Sequence, residues 1–414
     1  MLESAVSTVH SADCMSEDNW RGMARRGRFH FIFTLFLAFQ SVQAVQTYAR
    51  DASQGDVTNA TLAQADQSGV RIVFFTPADV AVPAGARPRL TKVAESAEKF
   101  YFEWMNHWGY PPAVKNLFRR EADGMVEALE VKGDEPVSSG KYAKPSNALA
   151  NDISRRAAQK YKIKRDGNVW WIFMFLGDRP ARFSKYEGGG TAPQGGWAMV
   201  NYDSAPGEIR PDLGLAEGFN GDFFLKGTIH ELTHAFGLPH VGPDPALGLG
   251  NTLMGPTTAV YTKRKYPNTD KIYLCESSAA MLWKHPFFSG TDKDRLLKPN
   301  LKLTEYKGVF DSTNNSITVS GKLFSDMPAH SVIVMDDQGQ PDDIYWYRSH
   351  TARIDADGGF RITINNPPRA NGKYWILFCF NNGVVTGDGS IKFAKESAIR
   401  KAYRFQEGNF EFDE

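Results

Sequence analysis

The chain has 414 residues, with 48 Lys or Arg against 47 Asp or Glu and a formal net charge of +1. That balance leaves no basic or acidic footprint for nucleic acid or an anionic membrane surface, and the length suits two or three ordinary domains. Aromatic content of 13% and the lack of low-complexity tracts mark it as globular.

Residues 1–44 read as an N-terminal extension with a secretory signal. Arg25, Arg26 and Arg28 form a basic stretch, Phe31 to Phe39 a short apolar core, and Val42-Gln-Ala44 a small-residue cleavage pattern. Met23 is the expected true start, since the residues before it are polar. The apolar run is too short for a stable membrane span. A cleaved signal is therefore preferred to a signal anchor or a buried strand, and it places the protein in a secreted or periplasmic compartment. Residues 45–68 are small and polar and read as a linker or short pro-segment.

From residue 69 strands and helices alternate. Val70 to Phe75 is an apolar strand, and residues 87–107 carry Leu90, Val93, Ala94, Ala97, Phe100, Tyr101 and Trp104 at helical spacing. Met125 to Val131 alternates like a second strand, residues 146–162 read as a second helix, and Val169 to Leu176 is apolar on both faces and so central. Two glycine runs follow, Gly188-Gly-Gly190 and Gly195-Gly196, the second opening the strand-like Trp197 to Val200.

Thr228 to His240 then contains H-E-x-x-H-x-x-G-x-x-H. His230 and His234 are four apart and share one helix face. Glu231 lies beside them. Gly237 can take the left-handed conformation that ends a helix, and Pro239 keeps the helix from resuming. The returning chain presents His240 as a third ligand. Three neutral imidazoles leave a fourth tetrahedral position open, the layout of a catalytic zinc site. Leu225, Ile229, Leu232 and Phe236 form a separate apolar stripe that can anchor the helix.

This eleven-residue motif resembles that of the metzincin clan of zinc endopeptidases. The resemblance implies that His230, His234 and His240 bind zinc, that Glu231 is the general base, and that Met254 in Asn-Thr-Leu-Met-Gly-Pro is the turn methionine beneath the metal. It implies an α/β catalytic domain over residues 69–297, with a twisted mixed sheet, an antiparallel edge strand, the zinc helix and a smaller C-terminal subdomain. It also implies that the last strand before the zinc helix is that edge strand and binds extended substrate. Gly196, Trp197, Ala198 and Met199 are then the expected substrate contacts. The segment from Met254 to Ile272 would shape the pocket for the residue after the cut. Val241 and Pro256 match none of the familiar subfamilies, so none is assigned.

The function implied is that of a secreted zinc metalloendopeptidase acting on protein or peptide substrates. A non-catalytic binding or adhesion protein on the same scaffold is disfavoured by the intact Glu231. A gluzincin-type hydrolase is disfavoured by Gly237 and His240 in register. His107 and His285 stand apart and are read as non-ligands. Cys275 and Cys379 are read as unpaired buried thiols in preference to a bridge, and with Cys14 they form no disulfide framework.

Residues 298–408 change style, with short alternating runs separated by turn signals. They are expected to form an all-β, immunoglobulin-like sandwich, an accessory domain for carbohydrate or protein. The expected strands include Ile344 to Tyr347 and Ile391 to Phe393. Asp355-Ala-Asp-Gly-Gly359 is expected as a hairpin turn, with calcium binding through Asp355, Asp357, Asp336 and Asp337 as the minority alternative. Tyr345, Trp346 and Tyr347 are read as core aromatics plus one exposed ring, in preference to a sugar platform.

Overall fold

The computed structural model describes residues 68–178, 183, 186–202, 209–211, 215, 225–265, 268, 270–337 and 346–413. The expected signal, the linker up to residue 67 and Tyr345 lie outside these residues.

Five strands form the first sheet: β1 (Val70–Thr76), β2 (Ala128–Lys132), β3 (Val169–Met174), β4 (Glu187–Thr191) and β5 (Gly195–Asn201), in the order β2-β1-β3-β5-β4. All neighbours are parallel except β4, which runs antiparallel to β5. β1 and β3 are buried along their whole length, because helices cover both faces of the sheet. Alternation sorts their side chains. Ile72, Phe74, Trp171, Phe173, Ala198 and Val200 face α1 (Ala86–His107) and α3 (Leu225–Ala235). Val73, Phe75, Ile172, Met174 and Met199 face α2 (Asn147–Tyr161). Ser146 starts α2 by accepting the Leu149 N–H at 3.1 Å, which satisfies an otherwise orphaned donor.

The strand order corrects one expectation. β5 is hydrogen-bonded to β3 on one side and β4 on the other, so it is internal. The antiparallel edge is β4. The backbone of Gly196, Trp197, Ala198 and Met199 therefore has no free side for an added strand. Trp197 lies on the α2 face of the sheet, and its Nε1–H donates to Asn147 Oδ1 at 2.9 Å. It lines a cavity of about 530 Å³ with Trp170, Arg165 and Arg295, on the face away from α3.

After α3 come two short paired strands, β6 (Asn251–Thr252) and β7 (Ile272–Tyr273), with α4 (Thr258–Lys263) between them, then α5 (Glu276–Trp283) and α6 (Pro286–Ser289). The C-terminal part is two antiparallel sheets. One has β8 (Leu301–Asp311), β9 (Ser316–Ser325) and β12 (Gly359–Asn365) in the order β12-β9-β8. The other runs β11 (Arg348–Arg353), β10 (Ala329–Asp336), β13 (Gly372–Phe380), β15 (Ile399–Gln406), β16 (Asn409–Phe412), with β14 (Val385–Thr386) paired to β13. Ile317, Val319 and Ile362 of the first sheet meet Val332, Ile376 and Phe378 of the second in one core.

Three details differ from expectation. Residues 391–393 form no strand; β15 begins at Ile399, and α7 (Ala394–Ser397) precedes it. Asp355 to Gly359 is a tight turn, closed by Asp355 N–H to Gly359 O at 2.8 Å, but it joins β11 and β12 of different sheets. It is a corner of the sandwich and not a hairpin. Asp357 pairs with Lys322 at 3.1 Å, whereas Asp336 accepts the Tyr403 hydroxyl at 2.7 Å, so the proposed calcium carboxylates are not gathered. Cys275 and Cys379 are both free and buried.

The sandwich is not set apart from the first sheet. Ile333, Met335, Trp375, Leu377 and Cys379 belong to the same buried cluster as Ile229 and Leu232 of α3. Arg353 lies over the rings of Tyr110 and Trp283 and donates to Gly109 O at 2.7 Å. The Ser277 and Ser349 hydroxyls meet at 2.6 Å.

Candidate metal centre

α3 supplies His230 and His234 one turn apart. The helix ends where Gly237 turns at φ 88°, its N–H bonded to His234 O at 2.8 Å and that of Leu238 to Thr233 O at 3.3 Å. Glycine is required here twice over, for the left-handed backbone and because a Cβ would fall 2.4 Å from Ala192 N. The chain then returns and brings His240 to the other two. One nitrogen from each imidazole lies within 4.8 Å of the others. No other group of this kind occurs among the described residues.

The backbone fixes how each ring presents itself. His230 Nδ1 is 2.7 Å from Leu253 O, and His234 Nδ1 is 2.8 Å from Leu238 O. A carbonyl only accepts, so each Nδ1 carries the hydrogen and each Nε2 is a bare lone pair. His234 Nε2 lies 3.0 Å from His240 Nε2. Burial drives the His234 pKa down to about 4 and those of His230 and His240 well below the usual range. The rings are thus held in the neutral form that a metal requires. Nitrogen donors, a common focus and hydrogen-bonded outer nitrogens fit a tetrahedral zinc ion.

Met254 is buried, and its carbonyl accepts the N–H of Val241 at 3.2 Å. Thr252 Oγ1 donates to Val241 O at 2.6 Å. The loop around Met254 therefore secures two of the three histidines, His230 through Leu253 and His240 through Val241. The segment 346–347 adds a third restraint: Tyr347 N–H reaches His240 O at 3.4 Å, and Gly242 N–H donates to Tyr347 O at 2.8 Å. Tyr347 was expected in a sandwich strand; instead it bridges to Val241.

Glu231 sits against the edge strand. Its carboxyl is pushed up to about 8, first by burial and then by the charge of Glu187, while the Gly188 N–H opposes the shift. A divalent cation beside it pulls the group back toward the carboxylate. Gly188 is glycine because a Cβ would stand 2.4 Å from the Glu231 carbonyl oxygen. His285 is buried in the aromatic cluster of Phe236, Phe287 and Phe288, outside the triad. His107 packs against Trp104 and Trp108.

The motif reading brought the three histidines together, as they are here, with Glu231 next to His230 on the helix. It missed Leu253, Leu238, Gly188, Glu187 and Lys226. Only Lys226 carried a signal, since it stands four residues before His230 on the same helix face. The others are backbone groups or belong to distant strands.

No protein-family model matches the chain, and no curated protein sequence matches it. Solved structures do. Wild-type OgpA from Akkermansia muciniphila, in two crystal forms, gives TM-scores of 0.59 and 0.61 at 20% identity. The matches cover 82% and 84% of this chain and 94% and 95% of that one. Catalytically inactive OgpA in complex with an O-glycopeptide substrate, glycodrosocin, gives a TM-score of 0.60 at 19% identity, over 84% of this chain and 96% of that chain. At these identities the likeness is one of fold. It spans both the α/β part and the β-sandwich.

Proposed function

We propose that this protein is a zinc-dependent endopeptidase of metzincin type that cuts O-glycosylated peptides outside the cytoplasm. The observation that carries the reading is the convergence of three neutral imidazoles, two of them on the helix that also carries Glu231. The O-glycopeptide substrate is taken from the fold shared with OgpA, which has been solved with such a substrate. The extracytoplasmic location rests on the sequence of residues 23–44. Among the described residues no helix is long and apolar enough to cross a membrane.

His230, His234 and His240 would hold the zinc. Bound there, zinc supplies Lewis-acid chemistry, polarising a carbonyl and lowering the pKa of a water. The protein's own groups do the rest. Leu253 and Leu238 lock two rings with Nε2 inward. Glu231 takes a proton from the attacking water and passes it to the departing amine. The Gly188 N–H orients that carboxyl. β4, as edge strand, offers N–H and C=O groups to an extended peptide. Met254 supports the ligand loops from below. The β-sandwich, immunoglobulin-like in general form, braces the His240 loop.

The test is digestion of peptide and O-glycopeptide libraries by zinc-loaded protein, with Glu231→Ala as control. Wild type should cut O-glycopeptides. The variant should keep its zinc and lose at least about 10²-fold in kcat/KM. Full activity in Glu231→Ala would sink the mechanism. Inert wild-type protein with a full complement of zinc would sink the peptidase reading.

A further inference from the structure

Lys226 lies on α3 one turn before His230. A helical side chain leans toward the N-terminus of its helix, and Lys226 extends to the carbonyl of Pro256, two residues past Met254. That carbonyl also accepts from Asn251 Nδ2 at 2.8 Å. Among the described residues the other two ammonium hydrogens have no acceptor. No carboxylate pairs with Lys226 among the described residues, and burial brings its pKa down to about 7. The residue as a whole keeps intermediate exposure.

Its position relative to the metal centre gives this charge a use. Lys226 acts electrostatically on both His230 and His240, and Lys395 of α7 acts on His240 as well. Glu187 bears instead on Glu231. Lys226 and Lys395 therefore lie close enough to His240 to act on it, as Glu187 does on Glu231. A desolvated ammonium without a counter-ion is costly unless something supplies the anion.

Resting on the peptidase reading, we propose that Lys226 is a specificity residue that binds a carboxylate carried by the substrate close to the scissile bond. A carboxylate can come from an Asp or Glu side chain or from an acidic sugar on an O-glycan. The chemistry is the same: one charge-assisted N–H···O bond in a site that excludes much of the water.

The experiment uses the zinc-loaded full chain and its Lys226→Met and Lys226→Arg variants. One arm is a peptide series in which Asp replaces Ala at each position flanking the cut. The other is an O-glycopeptide with and without its sialic acid. Wild type should prefer one carboxylate-bearing substrate by about tenfold or more in kcat/KM. The Met variant should bring that ratio close to one, and the Arg variant should retain most of it. Preference in the Asp arm alone names the side chain as source, and preference in the sialylated arm alone names the sugar. A ratio unchanged in Lys226→Met overturns the proposal, as does a wild type with no preference in either arm. Calorimetric binding of the same ligands to Glu231→Ala protein, with and without Lys226→Met, reads the site without turnover. Ligands bound through Lys226 but never cut would sink the peptidase reading alone. Equal binding of acidic and neutral ligands would sink the carboxylate site alone.

Discussion

His285 shows what a buried imidazole outside the metal centre costs. Its Nδ1 accepts the Phe287 N–H at 3.3 Å, capping α6, while Nε2 has no partner. Burial lowers its pKa to about 3. An unfolded histidine takes up a proton below about pH 6.5 and this one does not, so the unfolded state binds more protons as the pH falls. The stabilisation is present above pH 6.5 and is lost progressively down to about pH 3. Several kcal/mol are at stake, on the order of 1.4 kcal/mol per pKa unit. His285→Asn keeps an acceptor for Phe287 and removes the titration. Denaturant melts of the metal-free protein should show a shallower loss of stability between pH 6.5 and 3 in the variant. An identical acid slope would show that His285 is not the group responsible. At this scale the sequence was most legible for the meeting of the three histidines, because a four-residue step and a glycine stop are local geometry. His285 was set aside as a non-ligand, but its desolvation depends on Phe236, which lies about fifty residues earlier.

The contact between β4, β5 and α3 depends on missing side chains. A Cβ on Gly190 would lie 2.1 Å from Ala235 O, and one on Gly196 would lie 2.4 Å from the same atom. The helix bearing His230, Glu231 and His234 therefore rests directly on strand backbone. Gly190→Ala must push helix and strand apart. Overpacking of this kind costs about 1–3 kcal/mol, and it should also weaken zinc binding, because Glu231 and both helix ligands move with α3. Thermal melts and zinc titration would test this. A variant as stable as wild type and with equal zinc affinity would show that the gap closes without cost. The same glycines explain the misplaced edge strand. Glycine is depleted in strands, so Gly188-Gly-Gly190 read as loop and the run at Gly196 as the edge. Local propensity yields here to the need for close approach to a helix. The other elements, β1, α1, α2 and β3, were visible because their apolar spacing is regular and their faces are fully covered.

Across the whole molecule, the change of sequence style near residue 298 marks a change of architecture but not an independent part. Apolar alternation announces strands. It does not show that Ile333, Met335 and Leu377 join the core that contains α3, nor that residues 346–347 continue the loop carrying His240. Trp346 is 4% exposed and sits where a Cβ on Gly242 would meet its Cδ1 at 1.8 Å. The indole therefore closes directly over the backbone that follows His240. Losing a buried Trp costs about 3–5 kcal/mol, and here part of that loss should fall on the metal centre. Trp346→Ala is expected to raise the zinc dissociation constant about tenfold or more while far-ultraviolet circular dichroism stays near wild type. A chain ending at residue 297 should fare worse, since it exposes the shared cluster and removes Tyr347 from His240 and Gly242. It should aggregate or fail to retain zinc. If that fragment folded and held zinc as tightly as the full chain, the sandwich would be a dispensable accessory module. The buried contacts argue instead that it completes the metal centre.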